Sequence, residues 1–208
     1  MVISQSGSAL QTRPSLLLRI RNGQDADAWH LFVELYAPLV IRHCRRRGLQ
    51  DADSTDVTQE VLIEVARTIR KFDYQPERGR FRDWLWTITN RKLAQFFSRQ
   101  NRNQAGTQAV ELLDGHGIMT CEPQWSAEFD AEVLRVALAH ARPHFEPTTW
   151  RAFELAWLES SSAAAVAIEL GIPIETVYVA KSRVLKRLEE EVQILAEDLP
   201  HVLPLRLP

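Results

Sequence analysis

The stretch Ser162–Leu188, which reads SAAAVAIELGIPIETVYVAKSRVLKRL, decides the fold of the C-terminal part of this 208-residue chain. It predicts a short helix that ends at Gly171, followed from Pro173 by a long helix that runs to about Leu199. Apolar residues at helical spacing form the inner faces of the two helices: Ala163, Val166, Ala167 and Leu170 in the first, and Val177, Val184, Leu188, Val192 and Leu195 in the second. Two helices joined by so short a turn are typical of a helix–turn–helix.

The rest of the chain shows the same helical periodicity and no alternation of the kind that indicates a strand. Asp25 is a candidate N-cap for a long helix in which Pro38 should cause a kink or a break. Asp53, Ser54 or Thr55 is a candidate cap for the next helix. The predicted helices are Ser15–Asn22, Ala26–Arg47, a third that ends near Phe72, Phe81–Arg99, Ala127–Ala141 and Thr148–Glu159. We therefore expect an all-α fold.

Residues 101–126 lack helical periodicity, and we interpret them as a flexible, acidic linker. They contain four residues that favour turns, Gly106, Gly115, Gly117 and Pro123. The linker separates two small helical domains, 15–100 and 127–199, of which the second holds the helix–turn–helix. A disordered N-terminus (1–14) and a C-terminal tail (200–208) complete the predicted organisation. An extended linker of this length reaches roughly 85 Å, whereas a single globule would have a radius of gyration of roughly 17 Å.

Positive charge is concentrated in two places, although the formal net charge is only −2. Between Arg80 and Arg102 there are six basic residues and a single acid, Asp83. Residues 103–132 contain six acids and no Lys or Arg. The second basic group lies near the C-terminus and comprises Lys181, Arg183, Lys186 and Arg187. This distribution indicates two local contacts with an anionic partner such as a nucleic acid.

Several kinds of protein are disfavoured by what the sequence lacks. It has no phosphate-binding glycine loop, zinc-ligand spacing or nucleophile elbow, so we expect no enzyme, no cofactor and no metal site. Its two cysteines, Cys44 and Cys121, lie far apart, which favours a reducing, cytoplasmic location. No apolar run approaches the roughly 18 residues of a membrane span, and residues 1–13 are unlike a secretory signal. We expect no membrane insertion.

Two groups of motifs follow one another along the chain. The first comprises DVTQE at 56–60, FD at 72–73 and FRDWLWTI at 81–88; the second comprises GIPIETV at 171–177 and KSRVLKRL at 181–188. They resemble regions 2 and 4, respectively, of sigma factors of the extracytoplasmic-function (ECF) type in the sigma-70 family. The resemblance implies a protein that directs transcription initiation. The implied partners are promoter DNA and core RNA polymerase, which would be bound through its β′ clamp and its β flap. Some relatives also have an anti-sigma factor.

The resemblance, together with helical spacing, assigns residues to three surfaces. The polymerase-binding surface comprises Asp56, Gln59, Glu60, Ile63 and Glu64. The −10 surface, where separated strands could stack on aromatic rings and contact cations, comprises Tyr74, Arg80, Arg82, Trp86, Asn90, Arg91 and Arg99. The −35 surface on the second helix of the helix–turn–helix comprises Glu175, Thr176, Tyr178, Val179, Ser182, Arg183 and Lys186. Asp56 and Glu60 would equally suit an ordinary helix start, and Trp84 is expected to lie mostly in the core.

The chain departs from the family pattern at two places within these surfaces. Many relatives have Arg-Asn where this chain has Asn90-Arg91. Tyr178, Val179 and Ala180 separate TV from KSR, which are adjacent in common relatives. The promoter sequence that a relative prefers therefore cannot be transferred to this protein.

Two other functions remain open on the sequence alone. A helix–turn–helix regulator that works without polymerase would bind duplex DNA tightly, usually as a dimer on a palindrome. A helical adaptor would bind only proteins. In that case, reversing the charges of Arg183 and Lys186 would leave partner binding intact.

Overall fold

The computed structural model describes residues 15–21, 23–71, 81–104 and 120–196, and every regular element in these ranges is a helix. The prediction of an all-α fold is confirmed. The predicted disordered N-terminus, most of the predicted linker and the C-terminal tail lie outside the described residues. The α-helices are α1 (Leu16–Arg21), α2 (Ala26–Arg46), α3 (Asp51–Thr68), α4 (Phe81–Gln104), α5 (Pro123–Ala141), α6 (Pro147–Phe153), α7 (Ala163–Leu170) and α8 (Ile174–Leu195).

Asp25 caps the N-terminus of α2, as the sequence predicts. Its Oδ1 accepts a hydrogen bond from the backbone N–H of Ala28 at 2.9 Å, and its Oδ2 lies 2.8 Å from Nε of Arg19. The hydrogen bond from the Arg19 guanidinium, followed by that from Ala28, holds the pKa of Asp25 below its ordinary value. These contacts fasten the end of α1 to the start of α2.

Helix α2 runs without interruption through Pro38, so the helix is not broken there. A proline removes one backbone hydrogen bond from the helix interior. Leu35, Leu39 and Val40 on either side of it are fully buried. Burial of each such side chain stabilises the fold by roughly 1.5–3 kcal/mol, which offsets the lost bond. Gly48, with a φ of 93°, follows the last turn of the helix.

Helix α3 begins earlier than predicted. Gln50 occupies the N-cap position without a side-chain hydrogen bond, so the prediction of a cap at Asp53, Ser54 or Thr55 is wrong. The Thr55 hydroxyl instead donates to the carbonyl of Asp51, 2.9 Å away inside the helix. Asp51 and Asp53 lie in the first turn, where negative charge favours a helix start through the helix dipole. The predicted inner stripe is buried: Val57, Val61, Val65 and Ile69.

Helix α5 also begins earlier than predicted, at Pro123 instead of Ala127. Proline suits the first helical position because its missing N–H would have no partner there. After α6, a single π-helical turn spans Glu154–Leu158, and Ser160 has a positive φ of 56°. The helix predicted at Thr148–Glu159 is therefore two elements of different geometry.

Helices α7 and α8 have the geometry expected of a helix–turn–helix. The Ser162 hydroxyl accepts a hydrogen bond from the backbone N–H of Ala165 at 3.2 Å and so caps α7. Gly171 ends α7 with a φ of 62°, a conformation that favours glycine. The two helices then meet at 107°, within the range typical of this motif. A small buried cluster holds them together with α6: Ala152, Leu155, Val166, Val177 and Ala180.

Helix α5 packs against both halves of the described chain. The rings of Tyr36 on α2 and Phe129 on α5 lie 5.5 Å apart. The Tyr36 hydroxyl also donates to the carbonyl of Leu195 at 3.4 Å, which brings the end of α8 to α2. The buried apolar residues of α1 to α5 and of the C-terminal part of α8 thus form one continuous core. The domain boundaries around 101–126 remain a prediction.

In the ranges that the structure describes, no single helix is both long and apolar enough to cross a bilayer. The α7–α8 pair reaches the required length and composition only as a bent unit.

Candidate nucleic-acid and protein interfaces

Helix α8 presents all seven residues of the predicted −35 surface to solvent. Val177, Ala180 and Val184 are buried, so the positions between them face outward. Tyr178 and Val179 are 59% and 55% exposed, although both are apolar or aromatic. A helix that enters a major groove needs such an uncovered face near its N-terminus.

Arg187, the last cation of the same basic stretch, is paired within the protein. Its Nη2 lies 2.5 Å from Oε1 of Glu191, and its Nη1 lies 3.5 Å from Oε2 of Glu190. Its Nη2 also lies 3.2 Å from Nε2 of His144. These carboxylates neutralise Arg187, whereas Arg183 and Lys186 are exposed.

The five residues of the predicted polymerase-binding surface share one face of α3. Asp56 and Gln59 are exposed, and Ile63, one turn further along, is 51% exposed. An exposed isoleucine beside acidic and amide groups offers an apolar anchor with a polar rim, an arrangement common in protein interfaces.

Glu60 and Glu64 on this face are tied to α4. Arg99 Nη1 lies 2.8 Å from Oε1 of Glu60, and Lys92 Nζ lies 3.5 Å from Oε2 of Glu64. Residues assigned to two different surfaces, Glu60 and Arg99, are thus partners in this conformation. A partner that engages either surface would compete with this ion pair.

Arg82, assigned to the −10 surface, is only 5% exposed. Its Nη1 donates to Oγ of Ser126 at 2.6 Å and to Oδ1 of Asp130 at 3.1 Å. Its guanidinium also lies 5.4 Å from the centroid of the Phe129 ring. Helix α5 therefore covers this arginine.

The other residues of the −10 surface differ in accessibility. Tyr74 and Arg80 lie outside the described residues. Arg91 is exposed, while Trp86 and Asn90 are half-buried. The indole N–H of Trp86 is buried and, among the described residues, has no hydrogen-bond acceptor. Asn90 donates to the carbonyl of Trp86 at 3.0 Å.

Sequence reasoning missed the apolar face of α5 that contacts α2 and α4. Trp125, which it placed in the linker, is fully buried. The indole N–H donates to the carbonyl of Arg82 at 3.2 Å, and the ring packs edge-on against His43 at 5.1 Å. Trp125, Phe129 and Val133 recur every four residues, and this spacing could have predicted the longer helix.

Acids of α5 pair with basic residues of α2. Nη2 of Arg42 lies 2.9 Å from Oε2 of Glu132, which is 5% exposed. Arg46 pairs with Glu128. Next to α5, Glu122 lies 3.2 Å from Nη2 of Arg47. Some acids of the segment between the two basic groups of the sequence therefore form ion pairs with the basic residues of α2.

His43 is enclosed where these helices meet. It is fully buried, with Nε2 at 3.3 Å from Oδ1 of Asn90 and Nδ1 at 3.5 Å from Oε1 of Glu122. Burial lowers its pKa, an effect that the nearby Arg47 and Arg46 reinforce and that Asn90 and Glu122 oppose. His43 is therefore neutral at physiological pH.

The two thiols have no nucleophilic character. Burial raises the pKa of Cys44 to about 11. Burial, with the neighbouring Asp83, raises that of Cys121 to about 12. Both are protonated at neutral pH, and only a thiolate acts as a nucleophile or metal ligand. Within the described ranges, no three His, Cys, Asp or Glu residues are placed to hold a metal ion.

Comparison with known proteins places the region around α3 in a family. Residues 32–103 match the family model for sigma-70 region 2. Twelve chains in solved structures match as well. One of them, from the 1.8 Å structure of the RsbN-BldN complex, is 20% identical over 83% of this chain and 96% of that chain, with a TM-score of 0.35. No curated protein matches the chain.

The helical fold and the family match define an all-α protein in which residues 32–103, which span α3 and most of α2 and α4, are similar to sigma-70 region 2.

Proposed function

We propose that this protein is an ECF-type sigma factor that brings core RNA polymerase to a promoter. The match of residues 32–103 to sigma-70 region 2 is the observation that carries the proposal. The helix–turn–helix geometry of α7 and α8 supports it, because a second DNA-binding unit after region 2 is what the motif resemblance implies. The polymerase makes the RNA, and the chain itself is assigned no covalent chemistry.

The face of α3 is proposed to bind the β′ clamp. Ile63 would lose its exposed area on docking, and an apolar anchor surrounded by polar groups often dominates the binding energy. We expect Ile63→Glu to weaken binding to core polymerase at least about tenfold, a change of about 1.4 kcal/mol. Leu18→Glu is the matched control, because Leu18 is 52% exposed and Ile63 51%, but Leu18 lies on α1.

The outward face of α4 is proposed to contact the −10 element once the strands separate. Arg91 is exposed on it, and the half-buried Asn90 and Trp86 lie one and five residues before it. A base that stacks on an aromatic side chain contributes roughly 1–3 kcal/mol, and the buried N–H of Trp86 would gain an acceptor if the ring moved toward DNA.

The N-terminal half of α8 is proposed to read the −35 duplex, with the β flap holding this part of the chain in place. Glu175 could accept from cytosine N4 and Arg183 could contact guanine or phosphate. We expect Arg183→Glu to reduce −35-dependent transcription at least about tenfold and to lower the salt dependence of binding by about 0.9 in log–log slope. Arg142→Glu, at another exposed arginine, is the control. An anti-sigma factor remains a prediction from the family alone.

The decisive test is transcription in vitro with core polymerase and a fragmented genomic library. The proposal predicts start sites that appear only when this protein is present, with a shared sequence about 35 and 10 base pairs upstream. Identical transcripts with and without the protein would refute it. Tight binding to palindromic duplex DNA without polymerase would instead favour the regulator alternative.

A further inference from the structure

The first two turns of α8 expose two large side chains, of which one has no hydrogen-bonding group. Tyr178 is 59% and Val179 55% exposed, whereas Val177 and Ala180 on either side of them are buried. The buried pair fixes the rotation of the helix, so the Val179 side chain lies on its outward face. An exposed valine alone indicates nothing, but the position of this one on the helix does.

Val179 lies in the middle of a row of outward residues along α8. Glu175 precedes it by four residues and Arg183 follows it by four, and all three are exposed. Residues four apart lie on one face of a helix, about 6 Å from each other along the axis. Stacked base pairs are about 3.4 Å apart. In a major groove, Val179 would therefore meet a base edge between those that Glu175 and Arg183 reach.

The cations needed to hold this row against DNA lie on the same helix. Arg183 and Lys186 are exposed, and residues 176–188 contain no acid. Cations of this kind bind phosphates and fix the register of a helix on the duplex, although they carry no sequence information themselves. Charge complementarity therefore favours duplex DNA, and not another protein, as the occupant of the face that contains Val179.

Only one chemical group on the major-groove edge of DNA matches a valine. Each base pair presents hydrogen-bond donors and acceptors there, and thymine alone adds a methyl group, on C5. The Val179 side chain can neither donate nor accept a hydrogen bond. A donor or acceptor placed against it would lose its water without gaining a partner, which is unfavourable. Contact with the thymine methyl instead removes two apolar surfaces from water, which is favourable.

We propose that Val179 reads a thymine methyl group in the −35 element. The element then contains an A·T pair whose thymine faces α8, between the base pairs that Glu175 and Arg183 contact. The inference rests on the proposed function and deepens it, because it names the base that the middle of the outward row selects.

Replacement of thymine by uracil tests the inference directly, because uracil lacks only the C5-methyl and keeps the hydrogen-bonding edge. The −35 sequence shared by the start sites of the genomic transcription assay is synthesised in full promoters, in which each thymine in turn is replaced by deoxyuridine. Binding of the complex of core polymerase and the full chain is measured by fluorescence anisotropy. We expect one position at which uracil weakens binding about fourfold, as expected for the burial of one methyl group.

Three variants connect this methyl group to the Val179 side chain. Val179→Ser removes the apolar group, so it should bind the thymine and uracil promoters equally well. Val179→Ile keeps the apolar group and should retain the preference for thymine. Val33→Ser is the matched control, because Val33 is another exposed valine, 40% exposed on α2. It should behave as the wild type does.

Three results would overturn the inference while the proposed function stands. They are a −35 element without an A·T pair, a uracil scan without effect at any position, and a preference for thymine that Val179→Ser retains. Weaker binding of Val179→Ser to core polymerase in the absence of DNA would also overturn it, because a protein would then cover this face.

Failure of the proposed function gives a different result, namely no start sites that depend on the protein. The uracil scan is then made on duplexes that the full chain alone selects from a random library. If the full chain selects no sequence, the inference about Val179 fails together with the proposed function.

Discussion

Replacement of Trp125 by alanine distinguishes two possibilities: that residue 125 lies in a flexible linker, or that it lies in a helix packed against the core. A tryptophan in a flexible, solvated segment contributes little to stability, and such substitutions usually change the free energy of unfolding by less than about 0.5 kcal/mol. In the structure the side chain is fully buried and its N–H is bonded to the Arg82 carbonyl. We therefore expect a large loss.

The expected magnitude follows from the burial of this side chain. Truncation of a buried tryptophan to alanine typically costs about 3–5 kcal/mol. A chain of 208 residues unfolds with an entropy of about 0.44 kcal/mol/K near 60 °C, at about 2.1 cal/mol/K per residue. The melting temperature of Trp125→Ala should thus fall by about 7–11 °C.

The assay is urea and thermal unfolding followed by circular dichroism at 222 nm, with Gln124→Ala as the control. Gln124 is the exposed neighbour of Trp125 on the same helix, so its replacement should change stability by less than about 0.5 kcal/mol. Equal effects of the two substitutions would refute the docking of α5. A double-mutant cycle between Trp125→Ala and His43→Ala should show a coupling of at least about 0.5 kcal/mol, as edge-on ring pairs do.

Three further predictions concern single positions. Burial lowers the pKa of His43 below its ordinary value of 6.5, so the unfolded chain binds a proton at this residue more readily than the folded chain. The stability of the wild type should therefore fall as the pH drops from 7.5 to 5.5, and that of His43→Gln should fall less over the same range in thermal melts. Ser162→Ala removes the cap of α7 and should cost about 1 kcal/mol in urea unfolding, while Ser162→Asp, which keeps an acceptor oxygen, should cost little. Gly171 has a φ of 62° and open space where a Cβ would lie. Gly171→Ala should therefore lower the free energy of unfolding by about 1 kcal/mol through backbone strain alone, and Gly171→Asn should lower it less. Equal values for the two variants would contradict this reasoning.

Local signals were sufficient for much of the fold. The cap at Asp25, the stop at Gly171 and the buried stripe of α3 each depend on residues within one or two turns, which sequence periodicity and capping preferences report directly. The same signals placed the start of α8 and identified its outward face, but the helix ends at Leu195 and not near Leu199 as predicted, because Ala196 has an extended backbone. Arg187 was assigned to the basic patch although Glu191, four residues on, could have indicated an intrahelical ion pair.

The errors have a common physical origin. The predicted end of the linker lay inside α5 because Gly and Pro were taken as signs of flexibility, whereas Pro123 starts a helix. The sequence shows the charge of Arg82 but not that α5 covers this side chain, and its assignment to the −10 surface stays a prediction. The prediction that Asp53, Ser54 or Thr55 caps α3 failed. Several neighbouring residues could cap a helix there, and only the packing of the backbone selects which turn comes first.

The sequence by itself determined where the helices lie, which face of each is apolar and that two basic stretches flank an acidic one. Only the tertiary structure decided that Glu128, Asp130 and Glu132 of the acidic segment pair with basic residues of α2 and α4 and that Arg82 is covered there. The reason is the range of the interactions. A helix and its inner face depend on neighbours three or four residues away, whereas the pairing of Arg42 with Glu132 joins residues 90 positions apart, and no local pattern specifies that contact.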